Sequence, residues 1–240
     1  MTMNVGILAA GFGTRLDKLG EQCPKGLIPY KDTTLLGRML TQLTGFNIAL
    51  VTNNKFFSAY TDYLAENFSN LHVQVVNNGV DTLEKRLGAL GDLKLTLDKL
   101  NWYGEDLLVL SCDTYFTFPI SELLAFYEKH MGFTTVLHDV DMAIIKNRLG
   151  CGVMEGDRII EFAEKSDNPS SNLAAVPLYI YPKELLPRIN DYMKTGEGID
   201  SPGKIIPWLL ENNIPVWGYT YQGEYLDVGT LGDLDKLKTI

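Results

Sequence analysis

The segment Leu8-Ala9-Ala10-Gly11-Phe12-Gly13-Thr14-Arg15-Leu16 places two glycines, a threonine and an arginine directly after a short apolar run, with Lys25 shortly beyond. Glycine permits close backbone approach and positive φ, so a loop carrying Ala10, Gly11, Gly13 and Thr14 can wrap its N–H groups around phosphate oxygens. Arg15 adds a bidentate fork and Lys25 a point charge for the same anion. Taken alone, the loop is as readily a tight strand-to-helix turn with exposed charges. Two other phosphate motifs fail. A dinucleotide fingerprint needs glycine where Leu16 stands, and Gly198-Ile199-Asp200-Ser201-Pro202-Gly203-Lys204-Ile205 imitates a Walker loop but offers Ile205 in place of the magnesium-binding hydroxyl.

Carboxylates must accompany a phosphate grip if the chemistry is phosphoryl or nucleotidyl transfer, because metal and cations hold the reacting anions in line. Asp113 stands at the carboxyl end of the apolar run Leu107–Leu110, and its oxygens suit Mg²⁺. A cap or turn is its other reading. Asp227, before Val228-Gly229, reads by itself as a turn residue. Glu164-Lys165, after the strand-like Ile159–Phe162, reads by itself as a solvated pair. His72, His130 and His138 show no ligand spacing.

The elements that must position these residues follow from hydrophobic periodicity. Val5–Ala9 reads as a strand buried on both faces, and strands are expected at 48–51, 72–76 and 107–110. Helices are expected from the spacing of Leu35, Leu36, Met39, Leu40 and Leu43 behind Asp32-Thr33-Thr34, over 56–68, and over 87–100. This alternation predicts an α/β fold, a mostly parallel mixed sheet flanked by helices, with ligands at the carboxyl ends of its strands. After about residue 130 the rhythm changes, and runs at 134–138, 153–154, 159–162 and 173–180 predict antiparallel strands laid over the first half. Lys204–Leu210, Val216–Tyr219 and Leu231–Leu237 return to mixed helix and strand.

With 240 residues, 45% apolar and 21% charged, the chain can bury a sizeable core. The absence of a linker or repeat favours one continuous domain, 1–240, with halves 1–130 and 131–240. A net charge of −9 disfavours nucleic acid as partner. The three cysteines are scattered, and no apolar stretch approaches ~18 residues, so a soluble cytoplasmic protein without membrane contact is expected. A homo-oligomer is left open.

Leu8–Leu16, Pro24-Lys25-Gly26-Leu27-Ile28-Pro29, Leu108–Asp113, Glu161–Lys165 and Gly223–Thr230 together resemble the signatures of sugar-phosphate nucleotidyltransferases, in that family's order. The resemblance implies a Rossmann-like fold and Mg²⁺-dependent transfer of a nucleoside monophosphate from an NTP to a sugar 1-phosphate, giving NDP-sugar and pyrophosphate. It implies that Asp113 and Asp227 hold Mg²⁺, that Lys165 meets the acceptor phosphate and Glu164 the sugar hydroxyls, and that the Gly152 backbone meets the sugar; Asn172, in Ser170-Ser171-Asn172-Leu173, reads equally as a residue of the same pocket or as loop structure. Residues 77–89, with Asn78 and Gly88, fall in the region that meets the base, but lack the family's usual Gln and Gly-Leu-Ala. Base identity is therefore not carried over. Cys151 stands before Gly152 where the family usually has Tyr, and Ser111-Cys112 precede Asp113 where it has Gly. The chain is expected to be monofunctional, without the acyltransferase domain of some relatives. The rivals are a cytidylyltransferase for an alcohol phosphate such as phosphocholine, and a non-catalytic nucleotide-binding module.

Overall fold

Val5 and Ile7 are fully excluded from solvent, as a strand covered on both faces requires. The computed structural model describes residues 2–240. Its strands are β1 (Met3–Leu8), β2 (Pro29–Tyr30), β3 (Thr33–Thr34), β4 (Asn47–Thr52), β5 (Val73–Asn77), β6 (Asp106–Ser111), β7 (Thr114–Phe116), β8 (Phe133–Asp139), β9 (Gly150–Glu155), β10 (Arg158–Glu164), β11 (Leu173–Tyr181), β12 (Val216–Tyr221) and β13 (Tyr225–Asp227). Its helices are α1 (Asp17–Gln22), α2 (Leu35–Leu40), α3 (Phe57–Asn67), α4 (Gly88–Leu100), α5 (Ile120–His130), α6 (Met142–Ile145), α7 (Arg188–Met193), α8 (Ile205–Glu211) and α9 (Leu231–Leu237).

Nine strands form one mixed sheet in the order β5-β4-β1-β6-β11-β8-β12-β10-β9. The pairs β1–β4, β1–β6, β4–β5 and β8–β12 are parallel, and the other pairs of this sheet are antiparallel. The antiparallel strands of the second half therefore extend the first sheet and do not lie over it. The reason is local: β6 is apolar and buried along Leu107–Leu110, and β11, equally apolar, pairs with its second edge.

Helices cover both faces. Met39 of α2, Tyr60 and Leu64 of α3, and Leu123 and Tyr127 of α5 join one core, while Leu90, Leu93 and Leu97 of α4 join Ile189, Tyr192, Ile205, Ile206 and Leu209 in the other. The Thr34 hydroxyl caps α2 by accepting from Gly37 N–H at 2.9 Å. Helix α2 ends at Leu40, so Leu43, read as helical from its spacing, sits in a turn and is buried there. Helices α1, α5, α6 and α7 carry no matching expectation from the sequence. Cys23, Cys112 and Cys151 are free thiols. Among the described residues no helix is long and apolar enough to cross a membrane.

Candidate active site

The carboxyl ends of β1 and β6 open into a cleft of about 520 Å³ lined by Ala9, Ala10, Gly11, Phe12, Arg15, Lys25 and Asp113. The loop backbone is tied to β4: Ala9 N–H donates to Val51 C=O at 2.9 Å, and Asn53 Nδ2 donates to Ala10 C=O at 2.9 Å. Gly11 faces open space, where a Cβ would meet nothing within 4 Å. Gly13 does a different job. It is left-handed (φ 69°), and a Cβ on it would lie 3.0 Å from Gly20 Cα, so it folds the turn down onto α1. Gly13 and Thr14 do not line the cleft.

Asp113 and Asp227 are brought together by a two-stranded ribbon. β13 pairs antiparallel with β7, setting Asp227 opposite Thr114, and Val228 N–H donates to Asp113 C=O at 3.0 Å. Lys25 Nζ lies 2.7 Å from Asp113 Oδ2, and the Ser111 hydroxyl donates to Oδ1 at 2.5 Å. Burial works to raise the Asp113 carboxyl, but the charge and hydrogen bond of Lys25, with Ser111, outweigh it and hold Asp113 below the usual carboxylate range. Asp227 goes the other way. Burial first, then the charge of Asp113, push it up to about 6 against the pull of Lys25 and Arg15.

A second cleft, of about 170 Å³, begins where the first ends: Arg15, Pro177 and Pro202 line both, and the second adds Arg148, Gly150, Glu164, Lys165, Tyr179 and Asp227. The β9–β10 hairpin builds it. Glu164 pairs with Gly150, and Lys165 leaves the strand in a left-handed conformation (φ 54°) with its N–H on Leu149 C=O at 3.1 Å. A Cβ on Gly150 or on Gly203 would lie 2.6 Å from Glu164 Oε2, so two glycines clear room for this carboxylate, which also accepts from the Ser201 hydroxyl.

Several expected site residues fall elsewhere. Gly152 faces Leu137 and Ile159 in the interior and lines neither cleft; Gly150 occupies the place assigned to it. Asn172 donates to Asp139 at 2.7 Å, is exposed and lines neither cleft. Gly88 lines the larger cleft, whereas Asn78 stands behind Asp92, to which it donates at 2.7 Å. Sequence reasoning missed Asp92, Arg148 and the pair Arg86–Asp200, which bonds at 3.0 and 2.9 Å between two residues that line the larger cleft. The signal for Asp200 was the glycine-rich segment 198–203, read only as a failed Walker loop. Both clefts use it: Asp200 and Pro202 line the first, Ser201 and Pro202 the second.

Asp113 and Asp227 offer the hard oxygen donors that Mg²⁺ takes. Among the described residues no three His, Cys, Asp or Glu side chains gather as a metal cage. A carboxylate pair at the junction of two clefts fits an ion that completes its shell with substrate oxygens and water.

A family model described as nucleotidyl transferase matches residues 5–239. A Sulfolobus acidocaldarius protein assigned as a mannose-1-phosphate guanyltransferase is 29% identical over 232 residues, 95% of this chain and 60% of that protein. A glucose-1-phosphate adenylyltransferase of Desulfitobacterium hafniense is 26% identical over 244 residues, again 94% of this chain and 60% of the relative. The chain thus spans about 60% of the length of these two relatives. A crystal structure of UDP-glucose pyrophosphorylase complexed with UDP-glucose superposes with a TM-score of 0.82 at 16% identity, covering 100% of this chain and 98% of that one, and shares the fold.

Proposed function

The chain belongs to the nucleotidyl transferase family, and from that premise we propose that it transfers a nucleoside monophosphate from an NTP to a sugar 1-phosphate, releasing pyrophosphate. The carrying observation is that two clefts, one with a glycine loop and one with a Glu-Lys pair, share Arg15 and adjoin the carboxylates Asp113 and Asp227. The named relatives differ in base and sugar, so neither is taken from them.

In this reading residues 1–130 supply most of the nucleotide cleft and 131–240 the acceptor cleft. The backbone at Ala10 and Gly11, with Arg15, holds the triphosphate. Lys165 and Arg148 hold the acceptor phosphate, and Glu164 accepts from sugar hydroxyls. An oxygen of that phosphate attacks the α-phosphorus, the bond from α-phosphorus to the β-bridging oxygen breaks, and pyrophosphate leaves with the electron pair. No protein nucleophile takes part. The Lys25 ammonium has three donors, so it can keep Asp113 and still face the α-phosphate as charge builds. Mg²⁺, held by Asp113 and Asp227, would neutralise charge on the reacting phosphates.

The test is a pyrophosphate-release screen of the common NTPs against sugar 1-phosphates and phosphocholine, with Mg²⁺ and with EDTA. Mg²⁺-dependent release with at least one sugar 1-phosphate is expected. Release with phosphocholine alone, or none with any pair, overturns the reading.

A further inference from the structure

Asp92 is 7% exposed and lines the larger cleft, one helical turn beyond Gly88 on α4, yet no step above uses it. Its Oδ1 accepts from Asn78 Nδ2 at 2.7 Å. Its Oδ2 accepts from no described side chain or backbone group, and no described lysine or arginine forms an ion pair with it. Asn78 is itself pinned, because its Oδ1 accepts from Val80 N–H at 2.9 Å, so its amide can only present N–H to Asp92. Burial pushes the Asp92 carboxyl up to about 6 against that hydrogen bond, which leaves it ionised at neutral pH. The residue as a whole is nearly buried, and this second oxygen is the acceptor it offers to whatever occupies the cleft.

We propose that Asp92, oriented by Asn78, reads the edge of the nucleotide's base and selects guanine. The inference rests on the transfer reading for what enters this cleft. The phosphates belong at the end that holds Arg15 and Lys25, and an anion cannot face them. The α4 wall offers Gly88, Ala89 and Asp92, small residues that leave a slot and one acceptor within it. A carboxylate needs donors, and guanine alone among the common bases presents two adjacent ones, N1–H and the N2 amino group. Adenine and cytosine set a ring-nitrogen lone pair beside their amino group, and uracil and thymine flank their single N–H with carbonyl oxygens, so each turns an acceptor toward one carboxylate oxygen. The ribose 2′,3′-diol is the other donor pair a nucleotide carries, and 2′-deoxyGTP tests it directly.

The experiment is calorimetric binding of GTP, ITP, 2′-deoxyGTP, ATP, CTP and UTP to the full chain, beside pyrophosphate release from the same nucleotides. GTP is expected to bind at least about tenfold tighter than ATP, CTP and UTP, and about tenfold tighter than ITP, which lacks only the N2 amino group. Asp92→Asn should bring the GTP:ITP ratio near one. The wild-type ratio needs no variant, so a misfolded substitution does not shelter the idea. Equal binding of GTP and ITP, or a ratio that survives in D92N, overturns it. Loss on 2′-deoxyGTP without discrimination among bases assigns Asp92 to the ribose and also overturns it. GTP-selective binding with no pyrophosphate release from any acceptor leaves the base assignment standing and removes the transfer reading instead.

Discussion

The two clefts hold their charged groups by different means. In the larger one a cation is fixed by an anion: Lys25 and Asp113 are 14% and 13% exposed at the side chain and bonded at 2.7 Å. In the smaller one the carboxylate Glu164 has no such cation; it is seated by two glycines and a hydroxyl. Electrostatics organises the first cleft and shape the second. Asp227, raised to about 6, lines the second cleft and is set by the ribbon beside Asp113 of the first.

The largest test of that picture is Asp227→Asn. If the clefts form one reaction centre, pyrophosphate release should drop by about 10³-fold with little change in nucleotide affinity in EDTA; a drop under tenfold would separate the clefts. Lys25→Met should next cost about 3 kcal/mol in urea denaturation, because it strands Asp113 in a buried place. A loss below 1 kcal/mol would mean that Ser111 and the backbone hold Asp113 without help. Gly150→Ala should act on the second cleft alone: its Cβ displaces Glu164, raising KM for the sugar 1-phosphate by about tenfold and leaving KM for the NTP unchanged. Equal rises in both constants would show that shape also organises the first cleft.

The smallest effect is on stability with pH, read in EDTA. Asp92 and Asp227 both have folded-state values of about 6, above their ordinary range, so between about pH 4 and 6 the folded chain keeps protons that the unfolded chain has released. Stability should therefore fall as pH rises through that window, and Asp92→Asn and Asp227→Asn should each flatten the slope. Asp113, held low, acts oppositely: its contribution is present above the unfolded value and is lost as pH falls below it.

The same contrast sorts what the sequence revealed. The glycine loop and Asp113 were legible because each follows a strand whose apolar run is continuous and local, and Lys25 because it lies shortly beyond that loop in sequence. Asp227 was legible only through resemblance, since a pairing between β7 and β13, more than a hundred residues apart in sequence, is what makes it more than a turn residue. Of the residues expected to share a pocket with Glu164, some line the second cleft and some do not. Glu164 and Lys165 line it, Gly150 replaces Gly152, and Asn172 falls outside, because hairpin pairing, not composition, decides which residue faces in. Asp92 was silent because a lone aspartate in an amphipathic helix carries no sign of the cleft beside it. The fold class was readable from the alternation of strands and helices, but the insertion of β11 beside β6 depends on a long-range choice of edge that periodicity does not encode.

The β7–β13 ribbon also sets an order during synthesis. A nascent chain that has reached residue 220 already carries Arg15, Lys25, Arg86, Arg148 and Lys165, the lysines and arginines that line the two clefts, together with Asp113. It lacks the strand that brings Asp227 to its partner. Until those residues emerge, the proposed reaction centre has grips for anions and no means to join them, so competence arrives in one step and only in a chain that has closed on itself.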